Sequence, residues 1–178
     1  FGSLVKQRVL NHTAGQADWL IGEGLFTSNV KGKAIRSMKA PGTAYDDPLL
    51  GYDPQPGHMN DYRDTTSDNG GVHINSGIPN KAFYDVAITV GGYAWEKAGR
   101  IWYKTLCEEL NQTSDFQSAA NSTFKVAGDL YGKNSDEQRA VYKGWTAVGI
   151  TPVGTVTKSG CRGTIRRIWQ TIFWGNNS

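Results

Sequence analysis

DNGGVHINSGIPNKAFYDVAITVGG, residues Asp68 to Gly92, passes from a glycine-containing turn through a lone histidine into a helical pattern. Ile74, Ile78, Ala82, Phe83, Val86, Ala87 and Val90 fall on one stripe, which predicts an amphipathic helix. Ser76 is placed to cap it, Pro79 sits early enough to be tolerated, and Gly91 with Gly92 ends it.

The helical pattern continues downstream. Trp95, Ala98, Trp102, Thr105, Leu106 and Leu110 form a second stripe. Ser114 with Gln117 reads as a capping box before Phe116, Ala119, Ala120, Thr123, Ala127 and Leu130, a run that Gly132 stops. Ser135 with Gln138 repeats the signature ahead of Ala140, Val141, Trp145 and Val148. Residues 74–149 are therefore expected to form a four-helix antiparallel cluster with short turns, and the fold class is mainly α.

Upstream the chain reads differently. Residues 1–11 place Phe1, Leu4, Val5, Arg8 and Val9 at helical spacing with no capping residue ahead of them, so a preceding segment is expected. From Thr27 to Asp68 neither period is sustained and Gly, Pro, Asp and Asn recur. A long irregular run inside a compact domain is usually functional, so this one is expected to wall a site.

The 178 residues suffice for one domain with a real core. Hydrophobic content of 38%, with 20% charged residues and a spread net charge of +3, describes a folding globular chain and argues against a nucleic-acid partner. No apolar stretch is long enough to span a bilayer, and residues 1–12 do not read as a signal peptide; a secreted and an intracellular bacterial setting both stay open. Cys107 lies in a helical pattern and reads as a buried thiol, with a disulfide to Cys161 left open. The sequons at Asn11, Asn111 and Asn121 read as turn and cap residues. Residues 151–178 break the pattern with Pro152, glycines and basic residues; they read as an extension docked on the surface or poorly ordered, the alternative being a basic, aromatic interaction tail.

The chemistry centres on His73. Gly70 and Gly71 allow a tight turn that brings the Asp68 carboxylate back to one imidazole nitrogen, orienting the ring and favouring its charged form. The other ring N–H then becomes a donor suited to a developing oxyanion. The same pair would serve equally as a polar plug at a helix start. A Ser76–His73–Asp68 nucleophilic triad is disfavoured because Ser76 stands at a cap position with no nucleophile-elbow pattern around it. A metal site within the chain is disfavoured because His12, His58 and His73 lie far apart in sequence and no H-E-x-x-H occurs.

Taken together, DNGGVHINSGIPNKAFY, ADWLIGEGLFT, IRSMKAPG and the DLYG and AVGI elements resemble the C-terminal half of the thermolysin-like zinc metallopeptidases. VKQRVLN, APGTAYDDP and DPQPGHM are similar to the protealysin-like subgroup of that family. The resemblance covers residues 1–150 and leaves residues 151–178 outside it. It implies a helical C-terminal lobe preceded by a cleft-lining irregular segment. His73 matches the family's oxyanion-stabilising histidine, Asp68 its carboxylate partner, and Arg36 the arginine that holds the substrate carbonyl, with Ile35 lining an apolar specificity pocket. Asp18 and Glu23 match part of a calcium site, whereas Lys6 and Leu20 stand where the fullest calcium sites carry acidic ligands.

The family's H-E-x-x-H, which supplies two zinc ligands and the catalytic Glu, and its third zinc ligand have no counterpart in this chain. The resemblance therefore implies the substrate-positioning and oxyanion-stabilising lobe of a zinc metalloendopeptidase, inactive alone, with zinc and general base supplied by a preceding N-terminal lobe and a protein or peptide as substrate. The alternative is a free-standing binding or regulatory module derived from that lobe. Finding H-E-x-x-H encoded upstream of Phe1 separates the two readings.

Overall fold

A computed structural model describes residues 1–153. Its element order is α1 (Gly2–Val9), β1 (Leu20–Ile21), β2 (Arg36–Ser37), β3 (Asp46–Asp47), β4 (Gly51–Tyr52), a 3₁₀ turn (Met59–Asp61), α2 (Asp68–Asn75), α3 (Gly77–Val90), α4 (Ala98–Glu108), α5 (Phe116–Tyr131) and α6 (Asp136–Ala147). The mainly α class holds. The cysteine at 161 and most of the extension lie outside the described residues.

Helices α3 and α6 form the centre, with α5 against α6 and α4 bridging α5 and α3. Ile78, Ala82, Val86, Val141 and Trp145 are buried, which fits the stripes read along the sequence, whereas Ile101 and Val126 are buried although they lie outside those stripes. Close approach of α3 and α6 depends on Gly144. A Cβ there would stand 2.5 Å from Val86 Cγ2 and 2.9 Å from the Ala82 carbonyl. Gly144→Ala is expected to cost about 1–3 kcal/mol through overpacking, read as a lower denaturant midpoint at unchanged slope. A midpoint matching the parent would show that the helices separate freely.

Several local expectations are corrected. The N-cap of α5 is Asp115, whose carboxylate accepts the Ser118 N–H at 2.7 Å, and Ser114 instead accepts the Asn111 N–H. Gln117 reaches Asn121 and the Thr151 carbonyl rather than the helix start. Ser135 does cap α6, but Gln138 turns inward, donating to the Phe124 carbonyl and accepting the Asn134 N–H. Cys107 is exposed. Helix α4 buries Ala98, Ile101 and Thr105, which puts Leu106 and Cys107 on the opposite side. In α1 the buried face is Ser3, Leu4 and Gln7, with Gln7 donating to Ser3 at 3.0 Å, whereas Val5 and Val9 are exposed.

The irregular segment is held by carboxylates more than by strands. The β1–β2 and β3–β4 pairs are antiparallel, each of two-residue strands. The buried Asp47 accepts N–H groups of Lys31, Leu49 and Leu50, while Asp53 accepts those of Gly42, Ala44 and Gln55. The Lys31 N–H foremost holds the Asp47 carboxyl below its ordinary range. Each carboxylate satisfies donors that no helix or sheet ladder reaches, which gives an otherwise patternless stretch one conformation.

Candidate active-site half

Four consecutive residues, Asp68, Asn69, Gly70 and Gly71, have φ of 54°, 49°, 81° and 73°. That left-handed turn is costly for L-residues and tolerable here because two of the four are glycine and the other two are Asp and Asn. Its last two N–H groups fold back on Ser67, whose carbonyl accepts from Gly70 at 3.1 Å and from Gly71 at 2.9 Å. Glycine is required at 71, where a Cβ would stand 2.8 Å from Asn75 Nδ2.

The reversal of hand brings Asp68 over the start of the right-handed turns that follow. Asp68 Oδ2 accepts the His73 N–H at 2.8 Å and the Ile74 N–H at 3.3 Å, while Oδ1 lies 2.5 Å from His73 Nδ1. One carboxylate thus caps a helix and fixes an imidazole. The His73 ring foremost holds the Asp68 carboxyl below its ordinary range, helped by the two N–H donors and opposed by its partial burial. Its charge therefore persists through neutral pH and is lost only as pH falls through that depressed value, below the ordinary carboxylate range. His73 Nε2 has no partner among the described residues, and the side chain is 69% exposed. The imidazole is anchored on one side and open on the other.

Ser76 is not the cap expected of it. It has helical backbone angles, joins α2 to α3, and its hydroxyl donates to the His73 carbonyl at 2.9 Å. Gln55 Nε2 donates to that carbonyl at 2.7 Å and to Ser76 Oγ at 2.9 Å. Buried Asn75 exchanges two hydrogen bonds with the Arg63 backbone, at 3.0 and 2.9 Å. Gln55 and Asn75 tie the His73 turn to the irregular segment, and sequence reading did not single them out. Their only sequence signal is an amide side chain beside a proline- or glycine-containing turn, which is common.

Arg36 lies on β2, half-buried, its side chain with no hydrogen bond or ion pair among the described residues; Ile35 before it is exposed and packs over Gly22. The structure brings Asp68 and His73 together, and among the described residues neither shares a hydrogen bond or ion pair with the Arg36 side chain. Asp18 and Glu23 are brought together by Lys6, whose Nζ lies 2.5 Å from Asp18 Oδ2 and 2.6 Å from Glu23 Oε2. Among the described residues no group of three or more His, Cys, Asp or Glu side chains is placed to hold a metal ion. A groove of about 480 Å³ runs between the left-handed turn and the start of α5, lined by Met59, Tyr62, Val72, Phe116 and Ile150 among others. His73 and Arg36 are not among the residues that line it. No helix among the described residues is long and apolar enough to cross a membrane.

Residues 1–150 match the family model for the thermolysin metallopeptidase α-helical domain. Protease PrtS of Photorhabdus sp. (strain Az29) is 56% identical over 153 residues, 84% of this chain and 41% of that protein. An extracellular metalloprotease of Pectobacterium carotovorum subsp. carotovorum is 54% identical over 151 residues, 84% of this chain and 43% of that protein. The solved precursor of protealysin, a metalloproteinase from Serratia proteamaculans, superposes with a TM-score of 0.82 at 58% identity, covering 85% of this chain and 47% of that one. The chain spans less than half the length of these relatives. With a helical fold, the expected sequence elements and a family match over residues 1–150, the chain belongs to the thermolysin metallopeptidase family, within its α-helical domain.

Proposed function

We propose that residues 1–150 are the substrate-positioning and oxyanion-stabilising lobe of a zinc metalloendopeptidase that hydrolyses internal peptide bonds of proteins. The observation that carries this reading is the open imidazole of His73, anchored at Nδ1 by Asp68 at 2.5 Å. A donor held in that way loses little freedom when charge develops on a scissile carbonyl oxygen, which is what makes electrostatic stabilisation effective. Arg36, a guanidinium with no partner among the described residues and beside the exposed Ile35, is suited to hold a substrate carbonyl next to an apolar side chain.

Zinc finds no ligand set among the described residues. Its ligands and the general base are assigned to an N-terminal lobe of the same protein, which is also the partner of this one across the cleft. On this reading the present chain alone does not cleave peptides, and its own residues bind, orient and donate.

The test is Asp68→Asn in the intact peptidase. Asn tolerates the left-handed backbone and still accepts a backbone N–H, so the turn should survive. The negative charge that anchors the imidazole at Nδ1 is lost. Turnover is expected to fall about 10- to 100-fold, the worth of one charge-assisted hydrogen bond, with KM near the parent value. Parent-like turnover would remove Asp68, and with it the anchored-donor reading. A drop confined to thermal stability would leave the pair as a polar plug.

A further inference from the structure

The last turn of α1 places Lys6 over the loop that carries β1. Its ammonium is shared by two carboxylates, Asp18 Oδ2 at 2.5 Å and Glu23 Oε2 at 2.6 Å. The other Asp18 oxygen accepts the Leu20 N–H at 2.9 Å and is committed to the turn. Burial by itself pushes the Asp18 carboxyl up, but the Lys6 ammonium and the Leu20 N–H outweigh it and hold it below its ordinary range; the Asp18 and Glu23 carboxylates raise Lys6 in turn.

The segment between the carboxylates is built around a buried anchor. Trp19 has φ of 59°, donates from Nε1 to the Ala14 carbonyl at 2.9 Å, and meets Tyr84 and Phe83 edge-on. β1 follows at once and pairs with β2 in the register Leu20 with Ser37 and Ile21 with Arg36. Gly22 then comes under Ile35, where a Cβ would stand 2.8 Å from Ile35 Cδ1. The corner around Lys6 is therefore the outer support of the strand pair that carries Arg36.

A calcium ion at Asp18 and Glu23 would need about 6–8 oxygen ligands at 2.3–2.6 Å. Here two acidic side chains converge, Leu20 adds no side-chain oxygen, and the space between the carboxylates holds a tethered ammonium whose charge would repel a divalent cation. We propose that the Lys6 ammonium is the resident cation of this corner, taking the place that calcium fills in the wider family, so that the Arg36-bearing strand pair is held without calcium.

The assay counts bound calcium per protein by equilibrium dialysis of the intact peptidase with radioactive calcium, alongside thermal midpoints in calcium and in calcium-free buffer with zinc retained. Differences between variants isolate this corner from calcium sites elsewhere in the protein. The double variant Asp18→Asn/Glu23→Gln is expected to bind as many calcium ions as the parent. Lys6→Glu is expected to bind one more, and to lose it again when Asp18→Asn and Glu23→Gln are added. Lys6→Gln, which removes the charge with little change in length, is expected to melt below the parent without calcium and to recover with it. The proposal is overturned if the double variant binds one calcium fewer than the parent, because the ion would then displace Lys6. It is equally overturned if neither Lys6→Glu nor Lys6→Gln responds to calcium, because the corner would then not be shaped for a cation. None of these readouts depends on His73.

Discussion

His73→Ala in the intact peptidase is expected to lower kcat about 10²- to 10³-fold while bound zinc stays at the parent level. The expectation follows from where the two ends of the ring go. Nδ1 is spent on Asp68 at 2.5 Å, and Nε2 faces outward without a partner among the described residues. Removing the ring leaves the helix start intact, because Asp68 Oδ2 still accepts the N–H groups of residues 73 and 74. Loss should therefore fall on turnover and spare stability. KM should change little, since the donor is needed most when negative charge accumulates in the transition state. Metal analysis is the control. Zinc lost together with activity would make His73 a ligand, and parent-like turnover would leave it no chemical part.

Trp145→Ala is expected to be the most destabilising single truncation in the helical cluster, at about 3–5 kcal/mol. Trp145 is 1% exposed on α6, donates from Nε1 to Thr123 Oγ1 at 2.8 Å, and stacks on Trp102 with centroids 6.1 Å apart and planes 7° apart. Trp102 in turn meets Phe83 of α3 edge-on at 5.1 Å. Truncation opens a large cavity where four helices meet, and close-packed neighbours fill such a void only in part. Thr123 keeps an acceptor in the Ala119 carbonyl, so the loss should reflect volume more than an orphaned hydroxyl. Urea denaturation followed by circular dichroism reads the effect. A midpoint within about 0.5 kcal/mol of the parent, the range of ordinary surface substitutions, would mean that the stack carries no packing energy.

Helices α3 to α6 were legible because apolar residues at a fixed period and the glycines at 91 and 132 are local signals. Caps were less legible. Ser114 and Asp115 are adjacent cap formers, and only the path of the preceding turn decides between them. The buried face of α1 was misread because its apolar stripe and its buried stripe differ: Ser3 and Gln7 go inside by bonding to each other, which no hydropathy pattern anticipates. In the irregular segment, Asp47 and Asp53 each precede a proline and mark turns, yet the three N–H groups that each collects come partly from residues distant in sequence. The Asp68–His73 pair was visible in outline from the glycines between them. That Asp68 and Asn69 themselves wind left-handed was not, because the reversal depends on a carboxylate reaching over four residues at once.

Because the right-handed turns bearing His73 run through Ser76 into α3, one of the two central helices, the imidazole has no hinge of its own. A donor mounted on a rigid beam cannot follow a substrate that moves. On the proposed reading, a cleft in front of it would widen or narrow by rotation of the whole helical unit and not by movement of the imidazole alone.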